Sequence, residues 1–140
     1  MGISISEFDA LGEKPENQKE FDLKYEEYQK NLPLESKIIL DSRLGFLCQP
    51  QAFKVFLDVE DAVASERIRL NERATDSFAS AEEALLVTQK RNRDTQLRYL
   101  KLYNIDWLDH QHYDVVIDTS SKTPQEVVEL LLEAFQRFGG

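Results

Sequence analysis

The chain has 140 residues, 41% of them apolar, with 26 acidic against 17 basic side chains and a net charge of −9. That is enough for one domain with a core and too apolar for a disordered chain. The acidic balance argues against a general nucleic-acid surface, which needs many phosphate-neutralising cations.

No run approaches the ~20 apolar residues of a membrane span, since the longest are Ala84-Leu85-Leu86-Val87 and Leu130-Leu131-Leu132. No basic segment followed by an apolar run opens the chain, and Cys48 is the single cysteine. The expectation is a cytoplasmic protein with no disulfide, no signal segment and no membrane contact.

In chain order, Ser4 or Ser6 can cap a short first helix with Ile5, Phe8 and Leu11 inward and Gly12 as its stop. Pro15 opens a second helix with Phe21, Tyr25 and Tyr28 spaced for one face, ended by Asn31-Leu32-Pro33. Three short apolar runs, residues 37–41, 54–58 and 113–118, each end in Asp and predict buried strands.

Residues 60–73 form a helix and residues 75–78 a break. Ser80 to Tyr103 is one long helix, with Ser80 as N-cap and Glu83 completing a capping box. Thr123 and Pro124 start a last helix with Val127, Val128, Leu131, Leu132 and Phe135 as its buried stripe, ended by Gly139-Gly140. Strands alternating with helices predict an α/β fold, a short parallel sheet flanked by helices in one domain, residues 1–140. Ligands of such sheets gather at the carboxyl strand ends, where Asp41, Asp58 and Asp118 fall.

Against the acidic background, residues 88–103 hold Lys90, Arg91, Arg93, Arg98 and Lys101 with Asp94 alone opposing, a local charge of +4. Arg91 and Arg98 are two helical turns apart and leave the same face. Two readings fit them: a phosphate contact, or a solvated face on which Asp94 pairs with Arg98. The strand-end aspartates fit water-mediated magnesium or a cap or turn role, the second being the commoner. His110 and His112 lack a third ligand and read as loop residues, so no metal site is assigned. Cys48 reads as a buried thiol, and Tyr99, Tyr103 and Trp107 as core.

Three segments carry a resemblance: Ile38-Ile39-Leu40-Asp41-Ser42-Arg43-Leu44-Gly45; Phe53 to Asp58 running to Ser65-Glu66-Arg67-Ile68; and Arg91, Arg98-Tyr99, Tyr103-Asn104-Ile105-Asp106 before Tyr113 to Ser120. In this order they resemble the cytidylate kinase family of P-loop nucleoside monophosphate kinases, in its compact archaeal-type form. Gly2 to Phe8 is similar to the segment that follows the phosphate loop in that group.

The resemblance implies a truncated P-loop nucleoside monophosphate kinase-like fold, ATP and Mg as cofactors, and phosphoryl transfer to CMP or dCMP. It implies substrate-binding roles for Arg43 and Arg67, catalytic roles for Arg91 and Arg98, and a helical lid over residues 60–106. The chain departs from the family pattern at the start: it has no glycine-rich loop, and no Gly-Lys pair occurs among its five glycines. No ATP site is therefore evident in it. Ser42, Ala64 and Asn92 also replace residues usual in the family.

The expectation is the monophosphate-binding and lid portion of a kinase-like protein, inactive alone, with a homodimer or a separate N-terminal partner completing the sheet. The alternative is a non-catalytic nucleotide-binding or protein-interaction module on the same scaffold.

Overall fold

The computed structural model describes residues 18–33, 37–71 and 80–139. The helix expected near residues 4–12, its follower's start at Pro15, Arg73 and the break at residues 75–78 lie outside them. The described residues fall into two compact units divided at Pro50 and Asn71.

The first unit holds α1 (Gln18–Lys30) and α2 (Gly45–Cys48). α1 ends as expected, the Asn31 N–H reaching back to the carbonyls of Glu27 and Tyr28 before Pro33 stops the ladder. Phe21 is half-buried as expected, but Tyr25 and Tyr28 are exposed, and the sheltered side of α1 continues through Asp22, Glu26 and Gln29. The cause is polar anchoring. The Gln49 amide donates to the Gln29 carbonyl at 2.7 Å, and the Ser42 hydroxyl to the Gln29 side-chain oxygen at 2.6 Å. α2, which the sequence reading omitted, buries Leu44 and Cys48. Burial foremost, with Glu26 adding, pushes the Cys48 thiol up.

The expected strand at residues 37–41 does not form. Ile38 is exposed and Ile39 is 99% exposed, and no backbone hydrogen bond among the described residues ties the segment to a neighbour. An apolar run becomes a strand only when a second strand satisfies its amides and covers its side chains.

The second unit is α/β. β1 (Val55–Asp58) and β2 (Val115–Asp118) pair in parallel, from Val55 opposite Val115 to Asp58 opposite Asp118. Between them come α3 (Asp61–Leu70), α4 (Ala81–Tyr103) and a 3₁₀ turn at His110–His112, and after them α5 (Pro124–Phe138). Both strands start later than expected. The Tyr113 N–H closes the 3₁₀ turn onto the His110 carbonyl, and the Tyr113 hydroxyl donates to the Trp107 carbonyl at 2.8 Å. The Lys54 N–H is taken by the Asp114 carboxylate at 2.8 Å, while its carbonyl accepts the N–H groups of both Asp114 and Val115, at 2.8 and 3.2 Å.

α4 starts on the expected N-cap, the Ser80 hydroxyl accepting the Glu83 N–H at 3.2 Å. It ends on Asn104 at φ 55°, a left-handed position that asparagine tolerates. Its inner face buries Ala84, Thr95 and Tyr99. The Gln89 amide donates to the Asp61 carboxylate at 3.0 Å and joins α4 to the first turn of α3.

α5 carries the expected cap: the Thr123 hydroxyl accepts the Glu126 N–H at 3.2 Å, and the Glu126 carboxylate accepts the Thr123 N–H at 2.9 Å. Gly139 at φ 104° ends it. Thr123→Ala is expected to lower stability by about 1 kcal/mol, with Thr123→Ser near wild type, both read from urea midpoints. The stripe is a correction. Val127 and Leu131 are half-buried, whereas Val128, Leu132 and Phe135 are exposed. The apolar arc of α5 is wider than one two-stranded sheet can cover, although Phe53 does meet Phe135 and Phe138 at ring distances of 5.5 and 5.0 Å.

Candidate functional site

The parallel pair delivers Asp58 and Asp118 to one edge. Both carboxylates serve their own turns there. Asp58 accepts the Val59 N–H and Asp118 the Ser120 N–H, each at 2.9 Å. The Ser120 hydroxyl foremost, then its N–H and more weakly Lys122, hold the Asp118 carboxyl below its ordinary range against some burial. The same hydroxyl accepts the Glu60 N–H at 2.9 Å and ties the start of α3 to the end of β2.

Arg67 projects from α3 to this edge. One terminal nitrogen donates to the Thr119 hydroxyl oxygen at 3.1 Å, the other to the Thr119 carbonyl at 2.6 Å. A guanidinium has more N–H donors than these contacts use, and Arg67 is an exposed residue. A cation is thus fixed at the strand edge with donors left over. Lys122 joins it, its ammonium donating to the Asp118 carbonyl at 2.8 Å. Sequence reading did not single out Lys122 or Thr119.

The other three arginines are placed differently. Arg91 is exposed on α4. Arg98, two turns on, is half-buried, its guanidinium carbon 5.5 Å from the centre of the Tyr99 ring. Asp94 takes Lys90 as an ion-pair partner at 2.6 Å, not the Arg98 partner that the solvated-face reading of these arginines named. Arg43 is exposed in the first unit, beside Ser42. The structure thus brings Arg67 to the strand edge, leaves Arg91 and Arg98 together on α4, and carries Arg43 in the other unit.

Phe56 gathers Trp107, His110 and Tyr113 at ring distances of 6.3, 5.0 and 5.0 Å. His110 therefore packs against an aromatic cluster. Burial, with Asp106 adding, pushes the Tyr113 phenol up to about 12. Among the described residues no group of three or more His, Cys, Asp or Glu side chains is placed to hold a metal ion. Asp58 and Asp118 each give one carboxylate oxygen to a backbone amide. None of the described helices is long and apolar enough to cross a membrane.

A family model described as the cytidylate kinase-like family matches residues 3–121, a span that includes all four arginines. An S-adenosylmethionine-dependent nucleotide dehydratase of Lacinutrix mariniflava is 34% identical over 137 residues, covering 97% of this chain and 27% of that protein. A cytidylate kinase of Pyrococcus abyssi is 33% identical over 135 residues, covering 95% of this chain and 70% of the kinase. One from Methanosarcina barkeri is 30% identical over 142 residues, covering 99% and 75%. The chain thus spans about a quarter of the dehydratase's length and about seven-tenths of these kinases. No solved structure matches it.

Proposed function

The chain belongs to the cytidylate kinase-like family, and from that premise we propose that it supplies the nucleoside monophosphate-binding and lid portion of a CMP or dCMP kinase-like protein. Arg67 holds the acceptor phosphate, Arg43 is a substrate-binding residue of the other unit, and Arg91 and Arg98 neutralise charge during transfer, with residues 60–106 as the lid. The observation that carries this reading is the Arg67 guanidinium, pinned at the carboxyl edge of β1 and β2 with donors to spare. Phosphoryl transfer is mostly positioning and charge neutralisation, so a fixed cation beside a strand edge suits it. The dehydratase relative supports a nucleotide as the ligand, since its name places its chemistry on nucleotides.

Alone, the chain does not transfer phosphate, because it contains no Gly-Lys pair to cradle the ATP phosphates. A second copy or a separate N-terminal partner completes the sheet beside β1, which among the described strands is joined only to β2. The free thiol of Cys48 suits a cytoplasmic setting. The second reading, a non-catalytic module that binds a nucleotide or a protein, is favoured by exposed Val128, Leu132 and Phe135 on α5.

A coupled assay with ATP, Mg²⁺ and CMP is expected to show no turnover by the purified chain, while calorimetry detects CMP binding. Robust turnover overturns the inactivity. Absence of binding by any nucleotide overturns the acceptor site and leaves the protein-interaction reading.

A further inference from the structure

We propose that Thr119 is a positioning residue: it aims the Arg67 guanidinium from the end of β2 toward a ligand phosphate. The proposal rests on the reading of Arg67 as a phosphate contact.

Thr119 follows β2 directly and is 9% exposed. Its N–H and its hydroxyl both donate to the Asp58 carbonyl, at 2.8 and 2.9 Å. The hydroxyl hydrogen is thereby committed to β1, and the oxygen's lone pairs are left for Arg67. That oxygen accepts one guanidinium nitrogen at 3.1 Å, and the carbonyl of the same residue accepts the other at 2.6 Å. Two acceptors on one residue meet the fork of one guanidinium and fix its plane as well as its position. The carbonyl also accepts the Lys122 N–H at 3.2 Å, which ties the turn behind it.

The root of Arg67 is held too. Two residues earlier on α3, Ser65 is 1% exposed and its hydroxyl donates to the Asp61 carbonyl. The start of α3 is bound to Ser120. The long Arg67 side chain would otherwise sample many rotamers, and Thr119 removes much of that freedom before any ligand arrives. Restricting a binding group in advance lowers the cost of association. Valine in place of Thr119 keeps the shape and the carbonyl but loses the hydroxyl that links Asp58 to Arg67. Serine keeps that link.

The test combines CMP calorimetry with NMR of the Arg67 side-chain N–H groups in the full chain. Thr119→Val is expected to weaken CMP binding about tenfold, and Thr119→Ser to restore nearly all of it. In an Arg67→Ala background Thr119→Val is expected to have no further effect, because it acts through that side chain. The Arg67 guanidinium signals are expected to be restricted in wild type and in Thr119→Ser, and to average toward free rotation in Thr119→Val. Thr119→Ala replaces Thr119→Val if the latter does not fold by circular dichroism.

The proposal is overturned if removing the hydroxyl leaves the Arg67 signals unchanged, or if it weakens binding equally with Arg67 absent. If wild type binds no CMP, the acceptor reading falls, and the Arg67 signals alone decide whether Thr119 positions that side chain.

Discussion

Arg67→Ala is expected to weaken CMP binding by about ten- to a hundredfold while leaving the fold close to wild type. The size follows from the loss of charge-assisted hydrogen bonds to a phosphate, about 1.5–3 kcal/mol, with each 1.4 kcal/mol about tenfold in affinity. The small cost to the fold follows from the partners left behind. Thr119 keeps both donations to the Asp58 carbonyl, and its own carbonyl keeps the Lys122 N–H. No buried group is orphaned, so the melting temperature moves little. Arg67→Lys separates charge from geometry, because a single ammonium cannot reproduce a two-pronged contact. It is expected to fall between wild type and alanine. Calorimetry with CMP on the three proteins decides the matter. An alanine variant that binds like wild type would remove the acceptor phosphate from this edge.

The parts of the fold that the sequence made legible are those whose cause is local. Ser80 and Glu83 lie three residues apart, as do Thr123 and Glu126, and each pair forms the hydrogen bond its spacing requires. A parallel sheet was legible from apolar runs separated by helical segments, but the pairing of residues 55–58 with 115–118 was not. What failed depends on distant partners. Residues 37–41 have the composition of a strand, yet composition cannot supply a neighbouring ladder, and Ile39 stands in solvent. Asp94 had a cation at helical spacing on either side, Lys90 before it and Arg98 after it. It took Lys90, while Arg98 lies over the Tyr99 ring.

The site divides in the same way. Arg67 was legible through the family motif around it. Thr119 was not, because the two residues are 52 positions apart and nothing local marks their contact. Lys122 was hidden for a different reason: a lone lysine in a loop has no pattern, and its value comes from the Asp118 carbonyl that holds it at the strand edge.

Tyr99→Ala is expected to cost about 3–5 kcal/mol, the range for truncating a buried aromatic side chain. Tyr99 is 7% exposed and meets Tyr103 edge-on at 5.9 Å between ring centres. In a small unit that is a large share of the total stability, so urea titration should show an early midpoint or no folded baseline. A loss under about 1 kcal/mol would mean that this face of α4 is not packed as described. The consequence for function runs through Arg98, whose guanidinium lies 5.5 Å from the centre of the same ring. Removing the ring removes the surface on which that cation rests. Tyr99→Phe keeps the ring and is expected to keep both stability and nucleotide affinity. Tyr99→Leu retains apolar volume without a π face. If Arg98 contributes to phosphate binding, Tyr99→Leu should weaken CMP affinity at a concentration of urea where the protein is still folded. Equal affinity in the phenylalanine and leucine variants would place Arg98 outside the binding site and leave Arg67 to carry the acceptor phosphate.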